Sequence, residues 1–412
     1  MDVLVRRCAG LDVHRDTVVA TVRVPGSGRL LRAQHTRTFA TTTAGITALG
    51  DWLATHRVTR AGMESTGVYW KPVYYLLEDQ LEVWLINAEH LHNVPGRKTD
   101  VADSAWIAQM VEHGLVRPSF VPPPPIRELR DLTRHRRTLV EERTRVVQRL
   151  EKVMQDAGIK LTSVASALLT KSGRAILEAL LAGQDDPDAL AELARGRLRA
   201  KIPALREALA GRFRTAHHGL LAAQMLAHID FLDAAIAELD TTLERAAAPF
   251  QVVLKRVCTI PGVSVRTAIM LLAECGADMT VFRTPAHLAS WAGICPGNNT
   301  SGGRSRSGRT RHGSIALRTA LTEAAHAAAR TKNTYLAAHH AHIRGRRGLH
   351  KAVGATRHDL LIAYWHVVHD QVDYADLGPD WAQRRRSTEH RTRRLVHQLE
   401  QLGHTVTLEP NT

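Results

Sequence analysis

The first 116 residues alternate between two hydrophobic periods. Ala9–Val13 is a short apolar run broken at His14-Arg15-Asp16, and Thr17–Val24 follows as a β-branched run. Two such runs joined by a tight turn predict a hairpin. Arg29–Phe39 predicts a third strand. Ile46, Leu49 and Leu53 recur at helical spacing, so Ala44–His56 is expected to be a helix capped by Thr43. Val58–Glu64 and Glu82–Asn87 read as strands, and Tyr69–Asp79 as a helix. Asp100–His113 reads as a further helix, with Val101, Ala105, Ala108 and Val111 on one side and Gly114 at its end. A hairpin followed by alternating helices and strands implies an α/β domain with a mixed sheet.

The pattern changes at Pro122–Pro125, a run that excludes helix and inner strand and marks a stiff boundary. Beyond it the period is helical. Leu129, Leu132, Leu139, Val146, Leu150 and Val153 recur at three-, four- or seven-residue steps, predicting one long helix over Ile126–Ala157. Ala216–Ala248 predicts a second, and the two together suggest an antiparallel hairpin or coiled coil. Between them, Ser163–Arg214 is rich in Ala and Leu and broken by Gly and Pro, so short helices are expected. Thr259-Ile-Pro-Gly-Val-Ser264 joins two short apolar helical stretches, as in a helix-hairpin-helix that offers backbone amides to phosphate, or as in any αα-corner. Pro285–Gly293 is a further helix. Residues 298–313 read as a Gly/Ser/Arg loop leading into a helix over Ser314–Arg330.

Composition narrows the class. The chain has 412 residues, 44% of them hydrophobic, which is enough for two to four domains at roughly 100–200 residues each. No uninterrupted apolar run reaches the roughly 18 residues of a membrane span, and the N-terminus lacks a signal-peptide core. Cys8, Cys258, Cys275 and Cys295 are scattered, which argues against a disulfide framework or a zinc knuckle and for a reduced, cytoplasmic protein. The formal charge is +15, unevenly spread. Residues 1–116 are net neutral, whereas residues 301–350 hold ten cations against one anion. Such a block suits a polyanion, most simply nucleic acid.

Four acids stand out in the neutral domain. Asp12 ends the strand Gly10-Leu-Asp-Val13, and Glu64 ends Ala61-Gly-Met-Glu64. Asp100 and Asp103, at i and i+3, share a helix face. Asp100 also suits a helix cap and Asp103 a solvated surface. Asp16, in the turn, is a turn former. Clustered carboxylates repel, and hard divalent cations such as Mg²⁺ or Mn²⁺ relieve that repulsion while activating oxygen in phosphodiester chemistry. In the basic block, small residues around Ser301-Gly302-Gly303 let backbone approach a ligand, and Arg304, Arg306, Arg309 and Arg311 can grip phosphate bidentately. A serine there is a candidate nucleophile on phosphorus; Thr300, Ser305 and Ser307 are rivals to Ser301.

These residues carry a resemblance. Asp12 in GLDVHRD, Glu64 in MESTGVYW, and Asp100 with Asp103 in KTDVADSAWIA resemble the four-acid signature of the DEDD-type insertion-sequence transposases, the bridge-RNA-guided recombinases. TIPGVSVRTAIMLLAE and FRTPAHLASWAGICPGNNTSGGRSRSGRTRHGSIALRTAL follow in the same order. The resemblance covers about residues 8–116 and 252–345. It implies an N-terminal RuvC-like, RNase H-type domain (1–120), a helical coiled-coil region (126–250) and a mostly helical serine transposase domain (251–350). A C-terminal helix and basic tail (351–412) would complete the chain. The same resemblance maps the catalytic serine onto Ser301 and makes Asp12, Glu64, Asp100 and Asp103 the metal ligands. It implies a non-coding guide RNA pairing with donor and target DNA. It also implies a dimer of dimers, with the acids of one subunit meeting the serine of another, acting at the nucleoid. Residues 158–214 look longer than a minimal coiled-coil connection, and the basic tail after about residue 375 lies outside the motif. Two other readings keep part of this picture: a Holliday-junction nuclease that uses the acids without a covalent step, and an inactive accessory factor.

Overall fold

A computed structural model describes residues 2–26, 31–65, 67–87, 103–296, 299–302, 304–307, 310–381 and 388–409; of 299–301, 304–307 and 388–391 it describes the backbone alone. The chain divides into two compact units, Met1–Val121 and Pro122–Thr412.

The first unit is built on a five-stranded mixed sheet. Its strands are β1 (Cys8–Val13), β2 (Thr17–Pro25), β3 (Arg32–Ala40), β4 (Arg60–Glu64) and β5 (Glu82–Ile86), in the order β3-β2-β1-β4-β5. β1–β2 and β2–β3 are antiparallel, and β1–β4 and β4–β5 parallel. Helix α1 (Thr43–Thr55) buries Ile46, Leu49 and Leu53 under one face, as the helical spacing requires. Its cap is Thr42, one residue earlier than the sequence suggested: the Thr42 hydroxyl accepts from the Gly45 N–H at 3.2 Å, leaving Thr43 in the first turn. Helices α2 (Trp70–Leu77) and α3 (Asp103–Glu112) complete the unit, and Gly114, at φ +64°, ends the chain's run after α3. Behind the sheet, Glu112 is fully buried and paired with Arg23 and Arg32.

The second unit is helical. Helix α4 (Pro124–Asp156) begins inside the proline run, correcting the expectation that this run excludes helix. Pro124 and Pro125 occupy the first helical positions, where a missing N–H leaves no bond unmade and the fixed φ is already helical. Four short helices follow, α5 (Leu161–Val164), α6 (Lys171–Leu181), α7 (Pro187–Glu192) and α8 (Ile202–Leu209). Then α9 (Leu220–Ala247) returns alongside α4. Arg136 pairs with Asp240 and Arg143 with Asp233, so seven residues forward on α4 match seven backward on α9. The two helices are therefore antiparallel, and Val146, Leu150 and Met154 share a core with Leu226, Ile229 and Leu232. The stretch Thr215–Val257 is long and apolar enough to cross a membrane by length and composition. Here its apolar stripe is buried against α4 and its acids hold arginines, including Arg174 on Asp230.

The remaining elements are α10 (Gln251–Val257), α11 (Val265–Cys275), α12 (Pro285–Trp291), β6 (Asn299–Ser301), β7 (Arg304–Ser307), α13 (Ile315–Ala328), α14 (Tyr335–Arg347), α15 (Leu349–His369) and α16 (Thr388–Gln401). α15 passes behind the others: the fully buried Tyr364 donates to the Gly276 carbonyl at 2.7 Å, and Trp365 to that of Phe282 at 2.8 Å. Gly262, in the turn between α10 and α11, has φ +85° and lies so close to α13 that a Cβ would come within 2.4 Å of the Ala328 nitrogen. β6 and β7 pair as a small hairpin where the sequence suggested a loop. Their polar residues give no alternation of apolar positions, so the strands are invisible to a hydrophobic pattern.

Candidate active site

Asp12 and Glu64 stand at neighbouring strand ends. In the parallel β1–β4 pair Leu11 lies opposite Met63, so the next position on each strand is an acid. α3 supplies the third carboxylate, Asp103, in its first turn. What brings α3 there is Gly10. A Cβ on Gly10 would sit 2.0 Å from the Ser104 carbonyl oxygen and 2.3 Å from the Ala108 nitrogen, so only glycine lets the helix backbone rest on the strand. Thr21, opposite Gly10 in the β1–β2 register, fixes the same end: its hydroxyl lies 2.8 Å from the buried Ser104 hydroxyl. Asp103 thus begins a helix pinned two strand positions from Asp12. Asp100 lies outside the described residues.

The electrostatics agree with this placement. Burial raises the Asp12 carboxyl above its usual 3.8, and the charges of Asp103 and Glu64 raise it further. His14 acts the other way, its Nε2 lying 3.1 Å from Asp12 Oδ2. Three mutually repelling carboxylates are a donor set suited to a hard divalent cation, which would offset the repulsion that Asp12 experiences.

Ser301 ends β6 at the tip of the second unit's hairpin. It pairs with Arg304, and Gly302 between them has φ +58°, the left-handed backbone that a tight hairpin favours. Thr300 pairs with Ser305, and a bulge separates Asn299 from Thr300. By strand alternation, Ser301, Arg304 and Arg306 occupy one set of positions, and Thr300 and Ser305 the other. Arg309 lies outside the described residues, and Arg311 is exposed.

The hairpin's base is clamped from both sides. Pro296 and Thr310 form a β-bridge. A Cβ on Gly313 would meet the Ala292 carbonyl at 2.2 Å, so two backbones touch there. Next in the chain, Ser314 caps α13, accepting from the Leu317 N–H at 3.2 Å. The same hydroxyl donates to Glu274 Oε2 at 2.8 Å. Glu274, on α11, is buried and receives Arg134 on both oxygens, at 2.8 and 2.9 Å. Arg130 donates to the carbonyls of Ala273 and Glu274. Burial alone would raise the Glu274 carboxyl; Arg134, Arg130 and Ser314 together hold it below its usual 4.5. Sequence reasoning missed this network, although a signal existed: Glu274 is a lone acid in the apolar stretch Met270-Leu-Leu-Ala-Glu-Cys275.

Comparison with known families decides the class. Residues 9–159 match the model of the IS110-type DEDD transposases, described as a transposase. Residues 254–341 match the model of the Transposase IS116/IS110/IS902 family. The chain belongs to the IS110-type DEDD transposases. This transposase is accordingly an enzyme that cleaves and rejoins DNA. Asp12, Glu64, Asp100 and Asp103 fall in the first matched span, and Ser301 with its arginines in the second. Among curated proteins no relative matches the chain.

The second unit of the transposase holds another group of possible ligands. Asp156, His217 and His218 bring one ligand atom each within 4.8 Å of one another. Hydrogen bonding accounts for His218 and Asp156 without a metal. His218 Nδ1 accepts from the Arg214 N–H at 3.0 Å, so in the neutral ring Nε2 carries the proton and donates to Asp156 at 3.1 Å. The pair ties the start of α9 to the end of α4.

Proposed function

We propose that this transposase is a site-specific DNA recombinase that moves its own insertion sequence by a covalent serine intermediate. The observation that carries the proposal is the gathering of Asp12, Glu64 and Asp103 at the C-terminal ends of β1 and β4, with Gly10 and Ser104 holding them together. The mixed sheet supports an RNase H-type, RuvC-like reading of residues 1–120. The antiparallel α4–α9 pair supports a coiled coil within 126–250, and the α10–turn–α11 element a helix-hairpin-helix in a transposase domain over 251–350.

Asp12, Glu64, Asp103 and, from its place in the motif, Asp100 would hold Mg²⁺ or Mn²⁺. When bound, the cation supplies positive charge that offsets the charge developing on phosphoryl oxygens. Ser301 attacks a DNA phosphodiester. A bond forms from its hydroxyl oxygen to phosphorus, a bond from phosphorus to a sugar oxygen breaks, and the serine proton ends on the departing sugar hydroxyl. A hydroxyl of the partner DNA then reverses these steps, joining the new strand and freeing Ser301. The number of phosphodiesters is conserved, so the exchange needs no external energy source. Arg304, Arg306, Arg309 and Arg311 grip the backbone beside the serine. That Arg304 and Arg306 share the strand set of Ser301 favours it over Thr300 and Ser305.

The partners of this reaction are double-stranded DNA at the element ends and target, a guide RNA, and further copies of the chain, as a dimer that assembles to a tetramer at the nucleoid. Incubating the protein with a nicked suicide duplex and separating it under denaturing conditions tests the proposal. A covalent protein–DNA adduct is expected, and it should vanish in Ser301→Ala. Strand cleavage without an adduct would favour a hydrolytic nuclease instead.

A further inference from the structure

Among the described residues, several partly buried arginines have an acid: Arg23 and Arg32 share Glu112, Arg136 holds Asp240, and Arg174 holds Asp230. Arg318 and Arg357 do not. Among the described residues neither has a carboxylate within ion-pair distance.

Instead they lie near one another. Arg318 is in the first turns of α13, and Arg357 faces that helix from α15. Arg357 Nη1 reaches the Thr322 hydroxyl at 3.4 Å, one turn beyond Arg318, whose own carbonyl accepts from that hydroxyl at 2.7 Å. The Nε of Arg357 is shielded from solvent and has no hydrogen-bond partner. Burial and the Arg318 charge both make the protonated form of Arg357 harder to hold. A shielded N–H donor without a partner costs free energy, and so does a second like charge beside it. An anion between them would remove the like-charge cost.

The position says which anion. Arg318 Nη2 donates to the Arg311 carbonyl at 3.3 Å, and Arg311 follows the Pro296–Thr310 bridge at the foot of the Ser301 hairpin. The two guanidiniums therefore stand where the hairpin enters α13. We propose that Arg318 and Arg357 form a phosphate-binding pair that anchors the backbone of the strand presented to Ser301, a positioning role distinct from that of the hairpin arginines. A phosphate oxygen can take an Nη–H of Arg357, with Arg318 completing the charge. This rests on the recombinase reading above.

The test uses the full-length protein and two probes, inorganic phosphate and a duplex of element-end DNA. Phosphate should raise the melting temperature of the wild type in a dose-dependent way, and Arg357→Ala and Arg318→Ala should each abolish most of that response. Removing either arginine should weaken duplex binding uniformly across sequences and reduce the salt slope of binding by about one. Arg357→Lys should recover the charge and so the slope, but not the full phosphate response, because one ammonium lacks the separate donors with which the guanidinium reaches Thr322 and an anion together. Ser301→Ala should keep both responses while losing the adduct. Its continued recombination would overturn the serine reading and leave the arginine pair standing. A phosphate response and salt slope unchanged in Arg318→Ala and Arg357→Ala would overturn the pair and leave the serine reading intact.

Discussion

The Ser314 hydroxyl binds two elements at once, accepting from the Leu317 N–H to cap α13 and donating to the buried Glu274 of α11 at 2.8 Å. The segment between the hairpin and α13 is thereby tied to a carboxylate that α4 also holds, through Arg134. The hairpin that carries Ser301 is short and polar, with no core of its own. Its position depends on this tie and on the glycine contacts at its base.

Glu274→Leu should therefore act on stability and on the hairpin together. It removes the acceptor of Arg134 and Ser314; because Arg134 is half exposed and can turn to water, the cost is that of lost charge-assisted hydrogen bonds, about 1.5–3 kcal/mol. Chemical denaturation measures that loss. The pH dependence has a definite sign. Glu274 is held below its usual 4.5, so its contribution is complete above that value and is lost as pH falls through the lower folded value. The wild type should lose stability below about pH 4.5 more steeply than Glu274→Leu does.

Gly10→Ala tests the packing that gathers the acids. The added Cβ meets backbone at 2.0 Å, which no side-chain rotation relieves, so α3 must move. A destabilisation of about 1–3 kcal/mol is expected for such overpacking. Loss of strand cleavage should exceed what the fraction unfolded explains, because Asp103 moves away from Asp12. Cleavage measured well below the melting temperature separates the two effects.

Asp12→Asn separates stability from activity. The wild-type carboxyl is raised above 3.8 by burial and by Asp103 and Glu64, so its ionisation in the fold opposes stability as pH rises through that range. The variant should melt at the same or a higher temperature at neutral pH, yet lose strand cleavage. Added Mg²⁺ or Mn²⁺ should stabilise the wild type, by about 2.7 kcal/mol at a hundredfold excess over the dissociation constant, and stabilise Asp12→Asn much less. Differential scanning calorimetry with and without the cation reads both. Unchanged cleavage in Asp12→Asn would make the acids structural and favour an accessory role.

The sequence made the acidic edge legible because an acid that ends an apolar strand breaks the pattern, as Asp12 and Glu64 both do. The long helices were legible from periodicity, and their antiparallel pairing followed from it. What stayed hidden was local chemistry with no hydrophobic signature. The cap fell on Thr42 rather than Thr43, since adjacent threonines are equivalent in a pattern but not in backbone angle. Pro124 and Pro125 proved to open a helix, because the same ring that breaks a helix interior suits its first turn. The β6–β7 hairpin is made of Asn, Thr, Ser and Arg, whose pairing comes from turn glycines and backbone bonds. Glu274 was passed over because its partners, Arg134 and Ser314, are 140 and 40 residues away in the chain.

The covalent step is the centre of the account, and adduct formation on a nicked suicide duplex measures it most directly. The wild type should form a denaturation-resistant protein–DNA species, with the DNA-bearing peptide containing Ser301. Thr300→Ala, Ser305→Ala and Ser307→Ala should still form it, and Ser301→Ala should not. An adduct that persists in Ser301→Ala, or DNA attached to a peptide lacking that residue, would contradict the assignment.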